Sequence, residues 1–120
     1  MPASRPEPTA LLEAAIDTLE RELLPTLTGY HRFQCRVAAN VLGQVNRELQ
    51  LGAAQADAEE ARLRALLGHP GDREQLSREL AARIRAGDVS LDDGALLEHV
   101  RLSLIEALRI NNPKWLAAPE

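Results

Sequence analysis

Apolar residues recur along the chain at steps of three and four, and no stretch alternates apolar with polar positions. That period is helical, because 3.6 residues complete a helical turn whereas a strand repeats every two. Leu12, Ile16, Leu19 and Leu23 form the first stripe, with Thr9 placed to cap it. Pro25 stops this helix or distorts its last turn, and Thr28-Gly29 makes a turn. A second helix is predicted from about Tyr30 to Leu51 on Phe33, Val37, Val41, Val45 and Leu49, widened by Ala38 and Leu42. Gly52 falls where a left-handed C-terminal cap belongs.

A third, alanine-rich helix is predicted over about Ala54 to Leu67, with core contacts at Leu63, Leu66 and Leu67 and a favourable Glu60–Arg64 pair. The breakers Gly68-His69-Pro70-Gly71 follow. Asp72 caps a fourth helix carrying Leu76, Leu80 and Ile84, which Gly87 ends. Ser90 caps a fifth, with Asp92 and Asp93 in its first turn. Its main stripe is Leu97, Val100, Leu104 and Leu108, widened by Leu96 and Ile105, and Asn111-Asn112-Pro113 closes it. Residues 1–8, with three prolines, and 117–120 are expected to fray. The fold class that follows is all-α, an up-and-down bundle of about five helices in a single domain over 1–120. On this reading Val41 and Leu104 are central, and truncating either to alanine should cost about 2–4 kcal/mol.

Composition narrows the class of protein. With 45% hydrophobic and 27% charged residues, the chain can build a core. Cys35 is the one cysteine, so no intrachain disulfide forms. No apolar run approaches membrane-spanning length, and the first eight residues lack the apolar run of a signal peptide. A cytoplasmic location is therefore expected. Basic side chains are almost all arginine, with Lys114 the single lysine. Arginine, alanine, glycine and proline all have GC-rich codons, which points to a GC-rich bacterial source.

Candidate chemistry is sparse. The chain has no phosphate-binding GxxxxGK[ST] loop, no GxGxxG and no GxSxG elbow. Glu-x-x-His and His-Glu-x-x-His are missing, and His31, His69 and His99 are scattered, read as surface or loop residues. No catalytic residue, metal site or cofactor is assigned. Cys35 sits between Arg32 and Arg36, where a reactive thiol and a small, partly buried residue are the two readings. The fourth and fifth helices have a helix-turn-helix outline, but Asp92 and Asp93 would repel phosphates, as would the net charge of −4.

The second helix carries the most unusual polar pattern. Arg36, Asn40, Gly43 and Arg47 recur at four, three and four, flanking the apolar stripe. Asn40 is a poor helix former in mid-helix. A link from Arg36 to Glu20 is the structural reading; a ligand pocket or partner surface is the functional one. Trp115, past the last helix, either folds back onto the bundle or anchors a partner. Arg36, Asn40, Arg47 and Trp115 are thus the candidate interaction or ligand positions.

Three stretches form a recognisable combination: Glu22-Leu23-Leu24-Pro25 through Gly29, Phe33 with Arg36-Val37-Ala38-Ala39-Asn40, and Arg47-Glu48-Leu49. Ile84-Arg85-Ala86-Gly87, Asp92-Asp93 and Asn112-Pro113-Lys114-Trp115-Leu116 continue it. From about Pro8 to Leu116 the chain resembles a family of short bacterial proteins defined only as a domain of unknown function. Members are encoded beside an aminoglycoside-phosphotransferase-like kinase and an acyl-CoA dehydrogenase. The resemblance implies a role near acyl-CoA metabolism and a partner of one of those kinds. Its motif positions here are Arg36, Asn40, Arg47 and Asn112, and no role comes with them.

Two functions are carried forward. The first is a non-enzymatic accessory or interaction protein, partner of a phosphotransferase-like or acyl-CoA-metabolising enzyme. It predicts an exposed apolar patch of several hundred Å². The alternative is a binder of a small anionic ligand, or a minor enzyme, with Arg36, Asn40 and Arg47 lining an inter-helix pocket. A ligand-free homodimer is a third. Nucleic acid and membrane are not expected partners.

Overall fold

The computed structural model describes residues 5–117, and among these every regular element is helical. Four α-helices follow in order: α1 (Pro8–Asp17), α2 (Gly29–Leu67), α3 (Arg73–Arg85) and α4 (Gly94–Asn111). The chain divides into two compact units, Met1–Leu51 and Gly52–Glu120, with the division inside α2.

The helices expected over 30–51 and 54–67 are one, so the count is four rather than five. Gly52 does not cap; α2 runs through it for 39 residues, a length of about 58 Å. A glycine inside a helix costs about 1 kcal/mol relative to alanine, which the run Ala53, Ala54, Ala56 and Ala58 readily offsets.

In the first unit, Glu7 rather than Thr9 is the N-cap of α1, with Pro8 in the first turn. Proline suits that place because its missing N–H would have no helical acceptor. Pro8 thus belongs to the helix rather than to the leader expected over residues 1–8, of which the first four lie outside the described residues. Ahead of Pro25 the helix widens into a π-helical segment, Thr18–Leu23, then tightens into a 3₁₀ turn, Leu24–Thr26. Pro25 both distorts and ends the helix, since it cannot donate to the ladder and its ring crowds the preceding turn. The segment then reverses. Gln50 donates to Glu13 (3.3 Å), Cys35 to the Leu19 carbonyl (3.5 Å) and Arg32 to the Leu24 carbonyl (2.7 Å). Among the described residues of this unit, Ala39 and Asn46 are the buried ones. Leu12, Ile16 and Leu19 are half-buried as the stripe predicts, while Leu23 is exposed.

The core lies in the second unit. Leu63, Leu67, Leu76, Leu80 and Leu96 form one cluster, with Leu66, Ile84 and Val89 packed against it. The connections explain how α2, α3 and α4 converge. Gly68, at φ +79°, ends α2 in the left-handed region that a side chain disfavours. Asp72 caps α3, its carboxylate accepting from the Gln75 N–H at 2.9 Å. A Schellman turn ends α3 at Gly87, with Asp88 N–H donating to the Arg83 carbonyl (2.9 Å) and Gly87 N–H to Ile84 (3.1 Å).

Ser90 does not cap the last helix. Its hydroxyl accepts from the Asp92 N–H (3.1 Å) in a preceding turn, and Asp93 is the cap, accepting from the Leu96 N–H (2.9 Å). Asp92 and Asp93 thus lie ahead of the first turn rather than in it. No helix among the described residues is long and apolar enough to cross a membrane.

Candidate functional site

The stripe that marks the second predicted helix is on α2's outer side. Phe33, Val37, Val41, Val45 and Leu49 are all exposed, Phe33 by 63% and Val41 by 54%. The inward positions are Cys35, Ala39, Leu42 and Asn46, at helical spacing, of which Leu42 alone is a large apolar residue. Val41 is therefore not a core residue. The same inversion occurs on α4, where Leu97, Val100 and Leu104 are exposed and Leu96 and His99 are buried. Periodicity identified both apolar faces correctly and assigned both to the wrong side.

These five residues along α2's outer face give a ridge of i, i+4 steps from Phe33 to Leu49, about 24 Å long. Arg36 and Asn40 flank it and are exposed; no ion pair joins Arg36 to Glu20 among the described residues. Arg47 lies along the same flank, its guanidinium 3.2 Å from where a side chain on Gly43 would begin. Asn46, three turns along the inner face from Cys35, is the buried polar residue among the described residues of this unit, and its side-chain oxygen has no hydrogen-bond partner. Cys35 donates to the Leu19 carbonyl, a structural role. Trp115 stands in the 3₁₀ turn Pro113–Leu116 and is 75% exposed, so it does not fold back onto the chain.

The densest polar cluster lies in the second unit, and sequence reading missed it. Arg62 on α2 spends its fork on three residues of α4. Its Nε donates to His99 Nδ1 (3.2 Å), and its terminal nitrogens donate to Ser103 Oγ (3.2 Å) and to both Glu106 oxygens (3.1 and 2.8 Å). Gln55 adds a bond to the Glu106 carbonyl (3.0 Å). The Arg62 and Glu106 side chains are only 18% and 16% exposed. The Glu106 hydrogen bond raises the Arg62 pKa against the opposing effect of burial. His99, Ser103 and Glu106 follow steps of four and three, a signal visible in the sequence but hidden by the stronger leucine stripe.

His99 is buried, not a surface histidine. Burial, and then the adjacent Arg62 guanidinium, hold its pKa below the ordinary 6.5. Its Nδ1 accepts from Arg62, so the neutral ring carries its proton on Nε2. His69, on the α2–α3 loop, behaves oppositely. Glu79 on α3 faces its Nε2 at 2.8 Å, and this bond, with that to Pro70, raises its pKa. Proton NMR should therefore show His99 titrating below 6.5 and His69 above it. For stability the two have opposite signs. The His69 contribution is present below pH 6.5 and lost as pH rises through its folded pKa. The His99 contribution is lost as pH falls from 6.5 through its depressed folded pKa, because the unfolded ring takes up a proton first. The exposed His69–Glu79 pair is screened by water, so urea unfolding should show lower stability at pH 5.5 than at 7.5. His99→Gln, which keeps an acceptor for Arg62, should flatten that difference; an unchanged slope would refute the assignment.

Beside the cluster is an open cleft of about 240 Å³, lined by Arg62, Ala65, Leu66, Ala95, Glu98 and His99. It holds none of Arg36, Asn40 and Arg47, which occupy one flank of a single helix in the other unit. No group of three His, Cys, Asp or Glu residues is placed to hold a metal among the described residues. No curated protein and no solved structure matches the chain. The family profile described as Domain of unknown function (DUF6285) matches residues 25–115, which take in α2, α3, α4 and the Trp115 turn, and the chain belongs to that family.

Proposed function

We propose that the protein is a non-enzymatic interaction protein whose α2 ridge docks another protein. The observation that carries the reading is the exposure of Phe33, Val37, Val41, Val45 and Leu49 in one line. An exposed apolar ridge of this length is costly in water and rare on monomers unless a partner covers it. Arg36 beside it suits a partner that presents acidic groups around an apolar helix or groove. By resemblance, the partner is a phosphotransferase-like kinase or an acyl-CoA-metabolising enzyme. The up-and-down arrangement belongs with this reading, supported by bonds that run in reverse order within each unit: 13 to 50 and 19 to 35 in one, 55 to 106 and 62 to 99 in the other.

A tagged chain at native expression should recover one other protein in stoichiometric amount. Val41→Asp should abolish that recovery, and Arg36→Glu should weaken it, with helix content unchanged by circular dichroism. Recovery of the chain with no second protein in any buffer would overturn the reading.

A further inference from the structure

We infer that a second copy of this chain docks antiparallel on the outer face of α4, forming a twofold dimer. The inference uses a different face from the α2 ridge, and its failure leaves the reading above standing.

The ground for it is a symmetry in the exposed residues. The midpoint of α4 falls between Leu102 and Ser103. Val100 and Leu104 lie just either side of it, both exposed. Leu97 and the half-buried Leu108 lie farther out at equal distance. Beyond the helix ends, Leu91 and Trp115 are nearly equidistant in residue number, exposed by 70% and 75%. A twofold axis through the midpoint, lying across the helix, places Leu97 against Leu108 and Val100 beside Leu104 of the other copy, and brings the Leu91 end of one copy to the Trp115 end of the other. Such an interface is isologous, so one self-complementary strip suffices.

Charge selects the antiparallel direction. Asp92 stands just before α4 and Lys114 just after it, both exposed and nearly equidistant in residue number from the midpoint. Antiparallel packing sets each Asp92 near the other copy's Lys114, and the contact occurs twice. Parallel packing would set aspartate against aspartate and lysine against lysine, and like charges across an interface disfavour it. Trp115, the largest exposed side chain, is the residue type most enriched among interface anchors.

The test is the mass of the full chain in solution by light scattering and sedimentation at micromolar concentrations. The wild type should run at twice 13.2 kDa. Leu104→Asp should raise the dimer dissociation constant by roughly 30-fold or more, since it places a charge at the centre of the strip. Asp92→Lys and Lys114→Asp should each weaken the dimer by about ten-fold, because each creates two like-charge contacts. The double variant Asp92→Lys/Lys114→Asp should return to within about three-fold of wild type. These two positions lie outside α4 and Asp93 remains as its cap, so the charge series stays informative if Leu104→Asp fails to fold. A wild-type chain that remains a 13.2-kDa monomer would overturn the dimer. A folded double variant that does not recover, or a folded Leu104→Asp chain that still dimerises at the wild-type constant, would overturn this interface.

Discussion

Leu76→Ala is expected to lower folding stability by about 3 kcal/mol, as the truncation of a fully buried leucine does. Leu76 is 1% exposed and lies in the one buried cluster, with Leu63, Leu67, Leu80 and Leu96. The loop preceding α3 closes over it. A side chain on Gly71 would meet Leu76 Cδ2 at 3.0 Å, so the glycine lets backbone lie against the leucine. Truncation leaves a cavity with little freedom to collapse, and a small domain holds only about 5–15 kcal/mol in total. Val41→Ala and Leu104→Ala give the contrast. Both residues are exposed, so at concentrations below self-association each should change stability by no more than about 0.5 kcal/mol. Urea unfolding followed by far-ultraviolet circular dichroism separates the cases. A loss near 3 kcal/mol at Leu104 with little at Leu76 would mean that the leucine stripe, not the observed cluster, is the core.

Arg62→Ala should cost about 2–3 kcal/mol, through groups left behind rather than through packing. Removing the guanidinium strips Glu106 of both charge-assisted bonds, Ser103 of a donor and His99 Nδ1 of its partner. Because the pair retains some contact with water, the loss falls short of a fully buried one. Arg62→Lys should recover only part of it, since an ammonium cannot serve three acceptors in a fixed plane. Replacing both partners, Arg62→Met with Glu106→Leu, should be far milder than Arg62→Ala, because no buried charge is then orphaned. A double variant as damaging as the single would show that the cluster contributes little pair energy and that shape alone matters there.

Local rules held where neighbours in sequence decide the outcome. The helical class, the Asp72 cap, the Gly87 stop and the core positions Leu63, Leu76 and Leu80 were legible because each depends on a few adjacent residues. The misplaced caps were near misses of the same kind. Thr9 gave way to Glu7 because Pro8 accepts the first helical place, and Ser90 to Asp93 because the serine hydroxyl is engaged in its own turn. Gly52 was misread because its propensity cost is small beside that of ending a helix amid alanines.

The proposed interaction face was half legible. Arg36, Asn40 and Arg47 do lie on one flank of an apolar stripe, as their spacing implies, and Trp115 is open to solvent. Their spacing could not say that the stripe itself faces outward. Nor could it single out Arg62, whose partners lie 37 to 44 residues away.

Sequence alone therefore settled which segments are helical, how most of them start and stop, and that α2 and α4 each carry a broad apolar face. Which face turns inward was settled by contacts between distant segments. On α4 the Arg62 fork can be satisfied only if His99, Ser103 and Glu106 face α2, which leaves Leu97, Val100 and Leu104 in water. The physical reason is that hydrophobic periodicity reports a surface to be covered and carries no information on which chain covers it. Hydrogen bonds between charged groups are directional and costly to leave unmade, so they orient the helix.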